Sequence, residues 1–171
     1  MSTLILLCGR PFSGKSSLAA RLAADRGAAG ISFDAINLER GLHGGDGLAV
    51  AEWASTLEIA KACTSAALKG RDLVVVDDTL CFRWMRDAFR ELARAAGARV
   101  VLLYLDPPEP VLQQRMAENA RTGRRRGIAP SVLAEHLSSF EAPEPEEAAV
   151  VLRCPDDVEA WLTREIETGP R

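Results

Sequence analysis

Histidine is nearly missing from this sequence. It occurs twice, at His43 and His136, and aromatic residues make up only 5% of the chain, with a single tyrosine. Four cysteines are present, but no C-x-x-C pair and no cysteine–histidine spacing of a metal site. Zinc-site and metallohydrolase chemistry are therefore excluded as primary readings. The cysteines read as buried, reduced thiols, Cys8 and Cys154 lying in or beside apolar runs, and a cytoplasmic home follows. No positive excess exists either: net charge is -3 and the pI about 5.5, unlike a protein that coats nucleic acid non-specifically. The N-terminal apolar core, Leu4–Cys8, has no positive flank and is too short for a signal peptide or a membrane span. Internal repeats and long linkers are absent, and 171 residues suit one compact domain over 1–171.

What is present is an alternation of strand and helix patterns. Thr3–Cys8 reads as a buried strand and Lys15–Arg26 as a helix stopped by Gly27. Gly30–Phe33 reads as a short strand, and Gly41–Gly47, with four glycines, as a mobile loop. Leu48–Lys69 predicts a long helix whose inner stripe is Val50, Trp53, Leu57, Ala60, Thr64 and Leu68. "DLVVVDD" is a continuous apolar run ended by acids, as in a parallel strand covered on both faces. Arg83–Ala96 is a helix, "RVVLLYLD" another buried strand, and Pro107, Pro108 and Pro110 open a helix to about Asn119. "RTGRRRG" is a basic loop, Ser131 an N-cap candidate, "EAPEPEE" an acidic connector, Ala148–Cys154 a last strand and Asp156–Glu167 a last helix. The order predicts a doubly wound α/β domain with a mostly parallel sheet and ligands at the strands' carboxyl ends. Those ends fall after Cys8, Phe33, Asp77 and Leu105.

The first such end carries "GRPFSGKSS", which fits G-x-x-x-x-G-K-[ST] between a strand and a helix. A loop of this kind turns backbone N–H groups onto phosphate oxygens, and the following helix adds its positive end. Gly9, Pro11, Ser13, Gly14, Lys15, Ser16 and Ser17 are the expected nucleotide contacts, Lys15 reaching the β- and γ-phosphates and Ser16 holding Mg²⁺. "VVVDDT" supplies Asp77 and Asp78, and strand alternation lets only one of them face a metal directly. The residues alone do not choose between them, and either could instead cap the next turn. Asp34 is either a base for an attacking hydroxyl or the N-cap of the next helix. Arg121, Arg124, Arg125 and Arg126, after a helix bearing Arg115, form either a solvated face or a lid over nucleotide phosphates, spanning about 119–128. His43 is a weak candidate for substrate contact, and His136 reads as structural.

The ordered set "GRPFSGKSS", "ISFDAI", "VVVDDTLCFRWMRDAFRELARAAG", "YLDPPEPVLQQR" and "SSFEAPEPEE" resembles the P-loop kinases of the polynucleotide 5'-kinase type, a group that includes chloramphenicol phosphotransferase and zeta-toxin-like kinases. The resemblance spans about Thr3 to Glu147. It implies a three-layer P-loop NTPase fold, with a parallel five-stranded sheet in the order 2-3-1-4-5, helices on both faces and an arginine-rich lid. It implies ATP with Mg²⁺ as donor, Asp34 as general base, and Asp78 near acceptor or metal, so that Ser16 with Asp77 or Asp78 is the expected metal set. Arg115, Arg121 and Arg124 then match nucleotide-contacting lid groups. Two positions depart from the pattern: Asn37 stands where polynucleotide kinases carry arginine, with Glu39 and Arg40 just beyond, and Asn119 replaces a second helix arginine. These departures favour a small-molecule hydroxyl acceptor over the 5'-hydroxyl of RNA or DNA. An ATP-binding switch without an acceptor is the third reading, and a base at Asp34 speaks against it.

Overall fold

The computed structural model describes residues 1–42, 48–123 and 130–168. Five strands, β1 (Thr3–Cys8), β2 (Ala29–Ser32), β3 (Leu73–Asp77), β4 (Arg99–Leu105) and β5 (Val150–Leu152), form one sheet in the order β2-β3-β1-β4-β5. Every pairing is parallel. Central β1 reads as an apolar run because both its faces are covered. Leu4, Leu6 and Cys8 enter one core cluster, while Ile5 and Leu7 enter the other.

The first cluster packs against α2 (Phe33–Glu39), α3 (Val50–Leu68) and α4 (Arg83–Ala95), with Phe33 and Phe89 edge to face at 6.3 Å. The second packs against α1 (Lys15–Arg26) and α7 (Pro155–Thr168) through Leu18, Leu22, Trp161 and Leu162. Two further helices, α5 (Glu109–Thr122) and α6 (Pro130–Ser139), follow β4, and a 3-10 turn at Pro145–Glu147 leads into β5. This is the three-layer P-loop NTPase fold. Among the described residues no helix is long and apolar enough to cross a membrane.

Several local expectations are corrected. The strand read as Gly30–Phe33 ends at Ser32, whose hydroxyl accepts from the Ala35 N–H and starts α2. Asp34 therefore lies in the first turn of a helix, not at a strand end, and Ser32 holds the cap considered for it. Helix α3 begins at Val50, which is 86% exposed, so its buried stripe runs through Thr56, Leu57, Ala60, Thr64 and Leu68. Ser131 is the second residue of α6, not its cap. The last strand is shorter than Ala148–Cys154 because Ala148 has a left-handed backbone (φ 49°) and the chain turns into α7 at Pro155. Cys8 and Cys81 are buried, but Cys154 and Cys63 are exposed, against the reading of all four as buried thiols. His43 and Arg124, Arg125 and Arg126 lie outside the described residues.

Candidate active site

The loop after β1 is held open by backbone geometry that few residues tolerate. Gly9 has φ 151°, and a Cβ there would meet the Leu105 carbonyl oxygen at 2.5 Å and Ser13 Oγ at 2.9 Å. That carbonyl belongs to the neighbouring strand and has nowhere to go. Gly9→Ala should therefore push the loop off β4, destabilise the fold by about 1–3 kcal/mol and weaken ADP binding; a thermal melt and a titration with ADP and Mg²⁺ check it. Phe12 adopts φ 65°, an uncommon state for a bulky residue. Arg115 on α5 secures this bend, its Nη1 donating to the carbonyls of Phe12 (3.0 Å) and Ser13 (2.9 Å).

Lys15 opens α1 and is 8% exposed. Its ammonium donates to Gly9 O (2.7 Å), Arg10 O (3.0 Å) and Ser13 Oγ (3.3 Å). Burial lowers its pKa from the ordinary lysine range, while Asp78, Asp77 and Asp34, in falling order of influence, pull it back up. Asp77 ends β3, Asp78 follows it and Asp34 lies in the first turn of α2 just after β2, so all three stand at the carboxyl edge of the sheet, as the loop bearing Lys15 does. Asp78 Oδ1 accepts from Leu80 N–H (2.9 Å). Burial raises the pKa of Asp78, the Leu80 N–H and Lys15 oppose that rise, and Asp34 and Asp77 add to it. Asp34 is exposed.

No three His, Cys, Asp or Glu side chains gather closely enough among the described residues to hold a metal alone. Mg²⁺ does not require that. It takes hard oxygen donors, commonly one or two protein groups completed by substrate phosphates, and Ser16 with Asp77 or Asp78 is a donor set of that kind.

Beside the loop opens a cleft of about 660 Å³. Ser13, Gly14 and Ser17 line its loop end, and Arg115, Asn119, Arg153, Cys154, Pro155 and Val158 its walls. Arg115 thus stands at both loop and cleft, whereas Arg121, exposed at the end of α5, does not line it. The wall from β5 to α7 was not expected from sequence, although the strand-end rule applied to β5 points to it. The arginine near Asn37 is committed to α3. Arg40 pairs with Glu52 and donates to Thr56 Oγ1 (2.6 Å). Asn37, wholly buried, accepts from that same hydroxyl, and its Nδ2 has no partner among the described residues.

The chain belongs to the family described as AAA domain, which matches residues 4–143. No match is found among curated proteins. Solved structures with this fold include a sugar kinase from Janibacter sp. HTCC2649 (23% identity, TM-score 0.70, 99% of this chain and 97% of that one). They include a gluconokinase from Sinorhizobium meliloti 1021 (26% identity, TM-score 0.65, 97% and 94%). They also include the APS kinase of Mycobacterium tuberculosis, solved with AMPPNP and APS (22% identity, TM-score 0.62, 97% and 96%). All three are kinases of small molecules, so the narrower polynucleotide 5'-kinase grouping rests on the sequence motifs alone.

Proposed function

We propose that this protein is an ATP-dependent phosphotransferase that moves the γ-phosphate of ATP to a hydroxyl of a small-molecule acceptor. The observation that carries the reading is the buried Lys15, seated on oxygens of Gly9, Arg10 and Ser13 in the G-x-x-x-x-G-K-S loop, at the same sheet edge where β3 ends in Asp77, Asp78 follows, and α2 opens with Asp34 in its first turn. A loop that only held nucleotide would not need an acid on a second, separate helix. The kinases of similar fold, among them one bound to an ATP analogue and its acceptor, support the same reading.

In this reading the cleft takes the nucleoside, with its apolar wall at Leu152, Pro155 and Val158 against the base and Ser13–Gly14 toward the phosphates. Lys15 exchanges its carbonyl partners for β- and γ-phosphate oxygens, and the first N–H groups of α1 face the same anions. Ser16 with Asp77 or Asp78 would hold Mg²⁺ brought in with ATP, and that ion would supply positive charge against the phosphates. The acceptor oxygen forms its bond to the γ-phosphorus as the bond to the β–γ bridging oxygen breaks. Its proton passes to the Asp34 carboxylate, and ADP leaves. Lys15 and Arg115, the latter through the loop carbonyls, keep the donor positioned throughout.

The test is transfer of label from γ-labelled ATP, with Mg²⁺, to a panel of neutral sugars, sugar acids, hydroxylated antibiotics and a 5'-hydroxyl oligonucleotide. Label on a small molecule is the expected result. Label on the oligonucleotide alone, with steeply salt-dependent binding, would replace the small acceptor by nucleic acid. ATP binding with no label on any acceptor would leave a switch in place of a kinase.

A further inference from the structure

Lys15 cannot hold the loop and the phosphates at once. Its ammonium now bonds three oxygens of residues 9–13. When those bonds pass to phosphate, the loop keeps a strained bend at Phe12 and two glycines of wide conformational freedom, and loses its central fastening. Its shape must then come from outside.

Arg115 provides one such hold. Arg10 provides another, through the entry to α5. Its Nη1 bonds Glu109 Oε2 at 2.5 Å, and its Nη2 reaches Pro107 O at 3.4 Å and Asp106 Oδ1 at 3.7 Å. Asp106 is itself fixed from several directions. Tyr104 donates to its Oδ1 (3.2 Å), its N–H donates to Leu152 O (2.9 Å), and Arg153 Nε lies 3.8 Å from its Oδ2. One carboxylate thus links the loop after β1 to the connection after β4 and to the cleft wall after β5. The Arg10 carbonyl, meanwhile, accepts from both Lys15 Nζ (3.0 Å) and Ser13 N–H (3.2 Å). The peptide that cradles Lys15 is therefore tied, through its own side chain, to Asp106 and Glu109.

We infer that Arg10, anchored by Asp106 and Glu109, is a positioning residue that keeps the loop in its phosphate-binding shape after Lys15 has turned to the nucleotide. This rests on the nucleotide reading above. Arg10 and Asp106 are both partly solvated, so cutting the pair costs the resting fold little. The cost appears on the phosphates, where a small displacement of the donors weakens binding steeply.

The experiment is calorimetric titration of the native protein and of R10A, R10K, D106N and the R10A/D106N double variant, each with ADP plus Mg²⁺ and with adenosine, alongside thermal melts. R10A should weaken ADP binding about tenfold while adenosine affinity and melting temperature stay near native. R10K should recover part of the loss, and the double variant should be little worse than R10A, because Asp106 acts on the loop through Arg10. Native-like ADP affinity in R10A overturns the inference, and so does an equal loss for adenosine, which would mean a distorted cleft. A native protein that binds neither ADP nor ATP overturns the nucleotide reading itself, a result separate from both.

Discussion

Asp34→Asn should slow phosphoryl transfer by about 10²–10⁴-fold, the usual worth of a positioned base, with ADP affinity close to native. The expectation follows from how the side chain is left uncommitted. Ser32 already caps α2, so the Asp34 carboxylate is not consumed by the helix start. No hydrogen bond to it is formed among the described residues. Asparagine keeps its shape and still accepts hydrogen bonds, but it cannot take a proton from an acceptor hydroxyl. Its loss of charge near the N-terminus of α2 costs only about 0.3–1 kcal/mol, so the fold survives. Because Asp34 has the weakest hold on Lys15 of the three acids, the phosphate end of the site is little altered. Single-turnover transfer from γ-labelled ATP, measured beside ADP titration, separates the two effects. Unchanged transfer would remove Asp34 from the chemistry, and lost ADP binding would move it to the nucleotide side.

What the sequence made legible follows the range of the interactions involved. The phosphate-binding loop was readable because its function demands particular residues in immediate succession, Gly9 through Ser16. The central strands were readable because both their faces are covered, leaving runs such as Leu4–Cys8 and Val74–Val76 with no polar interruption. Helix α2 was read no further than a possible N-cap at Asp34, because its seven residues are too few to show a period and its start depends on one serine hydroxyl at Ser32. The exposure of Val50 was missed because apolar spacing alone cannot say where a helix leaves the core. At the site, the sequence singled out Arg115 but not its partners, since nothing near residue 115 announces that its guanidinium meets carbonyls more than a hundred positions away. Arg153 was read inside the last strand and Pro155 just past it, and the carboxyl end of that strand was not considered as part of the site. The acidic stretch at 141–147 was read as a connector, and its Glu147 proves to be one partner of the most buried ion pair of the described residues.

That pair sets the largest expected effect on stability. Arg86 on α4 and Glu147 in the 3-10 turn are 0% and 1% exposed, joined by two bonds of 2.7 and 2.6 Å. Arg90 adds a bond of 2.9 Å to the same carboxylate, and Arg86 also donates to the carbonyls of Leu80 and Glu141. The cluster thus fastens the 141–147 connector and the turn after Asp78 to α4. Glu147→Ala leaves the Arg86 charge buried without its partner and should destabilise the protein by about 3–5 kcal/mol, a large share of a typical domain's roughly 5–15 kcal/mol. Replacing both residues with apolar ones of similar volume should cost far less, since neither desolvated charge then remains. Acid should expose the same dependence. Burial alone would raise the Glu147 pKa, but the bonds from Arg86, Arg90 and the Glu144 N–H outweigh it and bring it down to about 2 from an ordinary 4.5. A depressed carboxylate contributes its full stability above its unfolded pKa, and loses it as pH falls toward the folded one. Native protein should therefore weaken progressively from about pH 4.5 to about pH 2. Glu147→Gln, already weak at neutral pH, should show a flatter decline over that interval. Urea unfolding of both proteins across the interval measures the difference, and parallel curves would show that the pair's charge contributes nothing to the fold.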